Sequence, residues 1–442
     1  MPDENIVSDS LSLAVDFPQV ATAEWEAAIR ADLKGADYDK KLIWHTEEGI
    51  AVRPYYRAED IAPPFPSLGS GHTWEIAEAI PEGPGVVRAD TLHEEGAHAV
   101  LELQGAMAMA AEKLEQLPQH QGAKDLELVF AIGPYYFMEI AKFRAVRVLW
   151  MDLLARLGAT ASVRIAAVTP LRNKSTCDRY TNLLRVTTEA MSAVLGGADR
   201  VIIQPYGFDP HLALNVQRIL REEVHLDAVA DVAGGSYYIE SLTAMLVREA
   251  RRPAGSLTAA IAESRAAREK AVSSRRRTLV GVNNYPNPDE KVSEIEPAGS
   301  HTPASDGRLA APFERIRART AGIAREMGRY PRVLLLERGD PKMRSARANF
   351  CLNFFGCAGF DIVQSGELAP ADLIILCSSD AEYLALAREI CPQASAPVLV
   401  AGNPKDQIEA LKAAGVEGFV HIQSDAVQTL TEWQNRIAGG KQ

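Results

Sequence analysis

Residues 126–168 read LELVFAIGPYYFMEIAKFRAVRVLWMDLLARLGATASVRIAAV. The apolar run 126–132 predicts a buried strand, residues 137–157 have the spacing of a long helix, and the run 163–168 predicts another buried strand. Two such strands separated by a helix predict a βαβ unit, in which the strands are parallel. The fold around this stretch is therefore expected to be α/β.

The same alternation extends outward on both sides. Residues 1–60 are expected to form an arm with little core of its own and one helix at 23–33, followed by a connector rich in Pro, Gly and Ser at 62–71. Beyond it, further strands are predicted at 86–89, 201–204 and 228–231, and helices at 98–117, 178–195, 212–222 and 257–275. These elements predict a parallel sheet of five strands.

A second α/β unit is predicted near the C-terminus. Residues 286–312 hold five prolines and few large apolar residues, which is typical of an interdomain linker, and a helix is expected at 313–327. Five strands are then predicted at 332–336, 361–364, 373–377, 398–401 and 418–421. Five strands in about 108 residues is the size of a flavodoxin-like doubly wound domain.

Composition excludes several classes of protein. The chain has 442 residues, of which 47% are hydrophobic, and its 47 basic and 58 acidic residues give a net charge of −11. An acidic balance argues against sequence-blind binding of nucleic acid and against docking on anionic lipid. No secretory pattern begins the chain, and the five cysteines show no CxxC spacing, so we expect a cytoplasmic protein with reduced thiols and no metal site.

Four features leave two interpretations open each. The glycines of DVAGGSYY (231–238) could bring backbone N–H groups to a phosphate or carboxylate, or form a tight βα turn. His93 follows a predicted strand and could act as a general acid or be a solvated loop residue. Arg275–Arg277 could grip phosphates or end a solvated helix. The aromatic residues of the arm could bind a partner or form a small local core: Trp44, Tyr55 and Tyr56.

Several ordered segments resemble the methylmalonyl-CoA mutase family, whose members join a (β/α)8 barrel to a cobalamin-binding flavodoxin-like domain. The arm segments DLKGADY (32–38), LIWHT (42–46) and GIAVRPYY (49–56) resemble the entry of its small-subunit branch. Long matches follow in the expected order: AIGPYYFMEIAKFRAVRVLW (131–150), DRYTNLLRVTTEAMSAVLGG (178–197), VADVAGGSYYIESLT (229–243) and VGVNNY (280–285).

Departures from the family pattern affect the cobalamin site. Catalytic members carry D-x-H-x-x-G, whose His binds cobalt, whereas the matching stretch here begins at Gly339 and has Pro341, Met343 and Ala346 in place of the Asp, His and Gly. A thioether is a poor substitute for imidazole, and the Asp that would orient it is also absent. The resemblance therefore implies a degenerate cofactor site around Gly339 and Met343, with its remaining turns at Ser378, Ser379 and Gly402.

The barrel segment departs in the same direction. The family's Tyr-His pair is matched by Leu92 and His93, so the His is retained and the Tyr is lost. Polar family positions are matched by Ala166 and Val168, and a further His aligns near Ile203. Losing these hydrogen-bonding groups would leave an acyl-CoA thioester unpolarised. We therefore expect the barrel-like segment to be non-catalytic. If it has a catalytic residue, His93 is the candidate.

Length points the same way. Residues 72–282 number 211, whereas a closed barrel takes roughly 250 residues, and the early strands expected between Ile76 and Val86 are missing. We expect an arm and connector (1–71), a shortened barrel-like domain (72–285), a linker (286–312) and a degenerate cobalamin-type domain (313–442).

The resemblance implies a non-catalytic small subunit in a heterodimer. Its arm would wrap on a catalytic large subunit that binds adenosylcobalamin and acyl-CoA. Two alternatives are an active acyl-CoA mutase with a degenerate cofactor site and a stand-alone acyl-CoA-binding protein.

Overall fold

A computed structural model describes residues 20–61, 65, 73–116, 124–253, 255–287, 289–290 and 307–439. The predicted connector at 62–71 lies outside the described residues except for Phe65. Residues 291–306 of the predicted linker lie outside them as well. The arm contains α1 (Thr22–Asp32), α2 (Tyr38–Leu42), β1 (Trp44–His45) and β2 (Ala51–Val52). The last two pair as an antiparallel hairpin.

The described part of the arm packs on the following domain of its own chain, as expected for a segment with little core of its own. Ile50, Val52 and Tyr56 are buried in the core of the following domain. The Trp44 ring lies 5.2 Å from that of Tyr135. Apolar side chains on a short hairpin need a surface to cover them, and the neighbouring helices supply it.

The first α/β unit follows the arm. Its elements are β3 (Glu75–Ala77), β4 (Val86–Arg88), α3 (Asp90–Glu95), α4 (Ala99–Gln116), β5 (Lys124–Ala131), α5 (Tyr136–Leu157), β6 (Ala161–Val168), α6 (Thr181–Leu195), β7 (Arg200–Ile202), α7 (Pro210–Arg218), α8 (Tyr237–Ala250) and α9 (Leu257–Ser273). The five strands form one parallel sheet in the order β3-β7-β6-β5-β4. The predicted class and strand number are thus observed.

The identity of the fifth strand was predicted wrongly. Residues 228–231 form turns, and Glu75–Ala77 takes the fifth place beside β7. The buried Arg144 side chain forms ion pairs with Asp231 and Glu240, at the two ends of the segment that contains the DVAGG turn. A strand there would remove Asp231 from this buried guanidinium and leave its charge poorly compensated.

Strand alternation assigns the two faces of this sheet. In β5, Leu126, Leu128 and Phe130 face the helices in the main core, whereas Val129 lies on the opposite, inner face. Strands β3 and β4 stand at opposite edges but are joined by only residues 78–85. Ile80 of this link packs with the apolar residues of the inner face, so the link crosses it.

The C-terminal unit has the predicted flavodoxin-like order. Its elements are α10 (Ala311–Met327), β8 (Arg332–Glu337), α11 (Pro341–Gly356), β9 (Asp361–Ser365), β10 (Leu373–Cys377), α12 (Tyr383–Ile390), β11 (Val398–Ala401), α13 (Ile408–Ala413), β12 (Gly418–Val420) and α14 (Ala426–Gly439). The parallel order β12-β11-β10-β8-β9 corresponds to 2-1-3-4-5 when it is read from β9.

The two units share a buried apolar cluster and also meet through polar contacts. The Arg275 guanidinium lies 5.4 Å from the Phe354 ring and donates to the backbone oxygen of Asn283. A carboxylate oxygen of Glu314 accepts from the Thr176 N–H at 2.8 Å. Arg277 pairs with Glu47 of the arm. Arg275 and Arg277 therefore hold parts of this chain together, which differs from both the phosphate-gripping and the solvated interpretation.

Candidate functional site

His93 lies in a buried charged cluster after the carboxyl end of β5. It belongs to α3, is 6% exposed, and its Nδ1 lies 3.7 Å from Glu102 Oε2. Lys142 Nζ lies 2.9 Å from the same oxygen, 2.6 Å from Glu139 Oε2 and 2.7 Å from the Ala131 carbonyl oxygen. Of the two interpretations left open for His93, the solvated loop residue is wrong, because His93 lies in α3 and its ring is buried against these helices.

Electrostatics within this cluster are unequal. Burial raises the pKa of Glu139, and the nearby Glu102 charge adds to the shift. Burial opposes the charged form of Glu102 as well, but Lys142 and His93 outweigh it and lower the pKa of Glu102. The two carboxylates likewise raise the pKa of Lys142 against its burial. The cluster thus pairs Lys142 with Glu102, whose pKa is lowered, and with Glu139, whose pKa is raised.

Access to this cluster is closed by the chain itself. Glu102 and Lys142 are fully buried, and Glu139 is 4% exposed. Gly133 passes so close that a Cβ atom there would lie 2.5 Å from Glu139 Oε1 and 3.5 Å from the His93 ring. The cluster can fix helices to the sheet, but it presents no face on which a substrate could rest.

The inner face of the first sheet is apolar where the family pattern is polar. Ala166 and Val168 are 0% and 1% exposed and pack with Val129 and Ile202. Ile203 instead faces the helices, in the main core. Leu92 packs against Leu101, Ile261 and their neighbours. These positions supply no hydrogen-bonding group on the inner face.

The C-terminal unit brings together three of the predicted site residues around a residue the sequence reasoning missed. Glu382 Oε2 accepts from Ser378 Oγ at 2.7 Å, from Ser379 Oγ at 2.6 Å and from the Asp340 N–H at 3.1 Å. Gly339 lies against this carboxylate, and any Cβ there would clash with it. These hydrogen bonds, that from Ser379 first, lower the pKa of Glu382 to about 2.

Met343 and Gly402 lie apart from that carboxylate. Met343 is in the first turn of α11, where its N–H donates to Asp340 Oδ1 at 2.8 Å and closes the helix cap. Gly402 is covered by the Arg347–Asp380 ion pair, since a Cβ there would lie 3.5 Å from each partner. The five predicted positions thus share one edge of the sheet without forming one pocket.

These residues do not fit a cobalamin held through an axial imidazole. The matching position offers the half-buried thioether of Met343 on a formed helix, and the Glu382 carboxylate lies across the loops after β8 and β10.

Within the described ranges, no group of three or more His, Cys, Asp or Glu side chains could hold a metal ion. No helix in the described part of the chain is long and apolar enough to cross a membrane.

Sequence reasoning also missed Glu102, Glu139 and Lys142. Their signal lies in the density of charged residues within a helix that is otherwise apolar, since Glu139, Lys142 and Arg144 all fall in α5 and all are buried. A charge that is buried in a helix must be paired, so such a run predicts partners on neighbouring elements. The identity of those partners needs the fold.

Comparison with known proteins assigns the family. A family model described as methylmalonyl-CoA mutase matches residues 82–321. The methylmalonyl-CoA mutase small subunit of Porphyromonas gingivalis is 33% identical, with 96% of this chain and 98% of the relative aligned. The chain belongs to the methylmalonyl-CoA mutase family. This mutase-family assignment confirms the resemblance on which the sequence prediction rested.

Other mutase relatives are covered less completely. The small subunit of Streptomyces virginiae is 30% identical over 78% of this chain and 63% of its own length. The methylmalonyl-CoA mutase of Escherichia coli is 33% identical over 39% of this chain and 28% of its own length. The chain therefore spans less than two thirds of several relatives. The Porphyromonas alignment runs over 614 positions whereas this chain has 442 residues, so at least 172 of those positions have no counterpart here.

Proposed function

We propose that this chain is a non-catalytic small-subunit component of an adenosylcobalamin-dependent methylmalonyl-CoA mutase. It would support a catalytic large subunit that interconverts methylmalonyl-CoA and succinyl-CoA. The observation that carries the proposal is the alignment with a protein named small subunit over 98% of that protein's length. The expected assembly is a heterodimer in the cytoplasm.

A shortened barrel is part of the proposal. In a closed barrel of parallel strands, neighbours in sequence are neighbours in the sheet and the last strand pairs with the first. Here β4, β5, β6 and β7 follow one another and β7 pairs with β3. This order is expected when strands are deleted between β3 and β4, where the 78–85 link now runs. The proposed division remains 1–71, 72–285, 286–312 and 313–442.

Both cofactor and substrate would bind to the large subunit. The apolar packing of Ala166 and Val168 with Ile80 supports this, because it fills the inner face on which a barrel's ligand would lie. The thioether of Met343, in the first turn of α11, is a poor cobalt ligand, which supports binding of cobalamin by the large subunit. The sheet edges at β3 and β4 have one paired side each within the described residues, and such edges favour a covering partner.

Co-expression tests the proposal. The chain is produced with and without the large mutase subunit encoded in the same genome, and each sample is examined by co-purification, sizing and turnover of methylmalonyl-CoA with adenosylcobalamin. We expect a stable complex, activity in the complex and none in this chain alone. Turnover by the chain alone, or failure of the two chains to associate, would overturn the proposal.

The retained His93 favours one alternative, an active acyl-CoA mutase that uses this residue. His93→Ala in the complex separates the two functions: the proposed function expects an unchanged kcat, and the alternative expects its loss.

Calorimetric titration of the isolated chain with methylmalonyl-CoA tests the second alternative, because tight binding without a partner would identify an acyl-CoA-binding protein. The buried cluster around His93 offers no surface for such binding.

A further inference from the structure

Glu382 lies at the point of the C-terminal sheet where open α/β folds bind ligands. In a doubly wound sheet, that point is the crevice at the carboxyl ends of the two strands between which the chain reverses direction. Here the two strands are β8 and β10, which are neighbours in the order β12-β11-β10-β8-β9. Ser378 and Ser379 follow β10, and Gly339 and Asp340 follow β8.

A single oxygen atom of Glu382 bridges these two loops. Its Oε2 accepts hydrogen bonds from the Ser378 and Ser379 hydroxyls and from the Asp340 N–H. It also accepts one from the Ser379 N–H at 3.3 Å. Two backbone N–H groups and two hydroxyls directed at one negatively charged oxygen form the donor arrangement that proteins present to the anionic group of a ligand. In this chain the anionic group comes from the protein.

Gly339 brings the loop after β8 close to the Glu382 carboxylate. Gly339 has a φ of +80°, and a Cβ there would clash with both oxygens of Glu382. Glu382 directly precedes α12, and three of its four hydrogen bonds come from Ser378 and Ser379 in the loop before that helix. The bond from the Asp340 N–H is the one that crosses the crevice to the loop after β8.

We propose that Glu382 is a built-in substitute for a ligand's anionic group, which closes the crevice and joins the loops after β8 and β10. The inference stands beside the proposed function and does not require the mutase partner. The depressed pKa of Glu382, about 2, is consistent with a carboxylate that remains charged in its cradle of donors. A domain with this internal carboxylate would keep its loops ordered without cobalamin.

Amide hydrogen exchange of the full chain tests the inference at the two loops. In Glu382→Ala, we expect the backbone amides of Asp340 and Ser379 to exchange several-fold faster than in the wild type, because both lose their acceptor. Acetate, which resembles the lost end of the side chain, is then added at high concentration against potassium chloride of equal ionic strength. Acetate should slow exchange in Glu382→Ala and leave the wild-type protein unchanged.

Two further variants control for charge and shape. Glu409→Ala removes an acid from α13 of the same domain and should leave both loops as protected as in the wild type. Glu382→Gln keeps the shape without the charge and should give intermediate exchange. Equal exchange in Glu382→Ala and Glu409→Ala, or an equal response of every protein to acetate, would overturn the inference.

A cobalamin titration keeps the two proposals distinguishable. Binding of adenosylcobalamin to the wild-type chain, seen as a change in its visible spectrum, would contradict the proposed function. The Glu382 inference fails on the exchange data alone. Equal exchange in Glu382→Ala and Glu409→Ala, together with a wild-type chain that binds no cobalamin, would reject the Glu382 inference and leave the proposed function standing.

Discussion

Lys142 Nζ lies 2.9 Å from Glu102 Oε2, and neither side chain has any exposure to water. The pair connects α5 to α4, and the Ala131 N–H at the end of β5 donates to the other Glu102 oxygen at 2.8 Å. A sheet strand and two helices therefore meet at one buried ion pair. Removal of one partner leaves a charge that the surroundings cannot solvate.

Lys142→Met is expected to destabilise the protein by about 3–5 kcal/mol, because it leaves Glu102 and Glu139 buried without their cation. Chemical denaturation measures the change in the free energy of unfolding. Lys405→Met, at an exposed position, is the matched control and should change stability little. Equal effects of the two variants would show that the buried pair contributes nothing specific.

Gly133→Ala is expected to cost about 1–3 kcal/mol, because the added Cβ would lie 2.5 Å from Glu139 Oε1, whose side chain is held by Lys142. Gly255→Ala is the control, since nothing lies within 4 Å of a Cβ at that position. Thermal unfolding of the two variants checks the difference. A stable Gly133→Ala protein would show that Glu139 can move aside freely.

Ile80→Ala is expected to cost about 1–2 kcal/mol, because its partly buried side chain packs against the inner face of the first sheet. Ile422→Ala, at a side chain that is 79% exposed, should change the free energy of unfolding by only a small fraction of the change in Ile80→Ala. The measurement is again the free energy of unfolding. If the Ile80 and Ile422 variants are equally stable, the 78–85 link does not seal the inner face.

Glu314→Gln is expected to destabilise the junction of the two units in a pH-dependent manner. Burial alone would raise the pKa of Glu314, but its hydrogen bonds to Arg308 and the Thr176 N–H lower it below its ordinary value of 4.5. A lowered pKa in the folded state means that ionised Glu314 stabilises the protein above about that ordinary value and loses this effect as the pH falls through the folded-state pKa.

Melting temperatures of the wild type and Glu314→Gln should therefore differ at neutral pH and converge in acid. Glu432→Gln, at a half-exposed surface pair with Arg436, should show a much smaller difference at neutral pH. A gap between wild type and Glu314→Gln that stays constant down to strongly acidic pH would contradict the assignment of charge to this carboxylate.

Sequence patterns located most elements because local apolar periodicity survives in this fold. The helix predicted at 137–157 is observed as Tyr136–Leu157, and the strand predicted at 373–377 is observed as Leu373–Cys377. The prediction of the fifth strand of the first sheet was wrong because of a contact between residues that are far apart in the sequence. The apolar character of residues 228–231 suited a strand, but Arg144, 87 residues away from Asp231, holds them as turns.

The candidate site was predicted only where a family motif marked it. Gly339, Ser378 and Ser379 were named from the motif, whereas Glu382 stands at no motif position and became visible only through its contacts. His93 was named from the family resemblance, but its burial depends on how α3 turns after β4. Neither motif nor periodicity encodes such an orientation.

By itself, the sequence determined the α/β class, the two parallel sheets and the mutase family, because strand and helix periods and ordered segments are local properties of the chain. Only the tertiary structure decided that β3 pairs with β7, that residues 78–85 cross the inner face, and that Glu382 bridges two loops. Each of these contacts joins residues on different elements. Their formation depends on the packing and charge balance of the whole fold, which no single stretch of sequence contains.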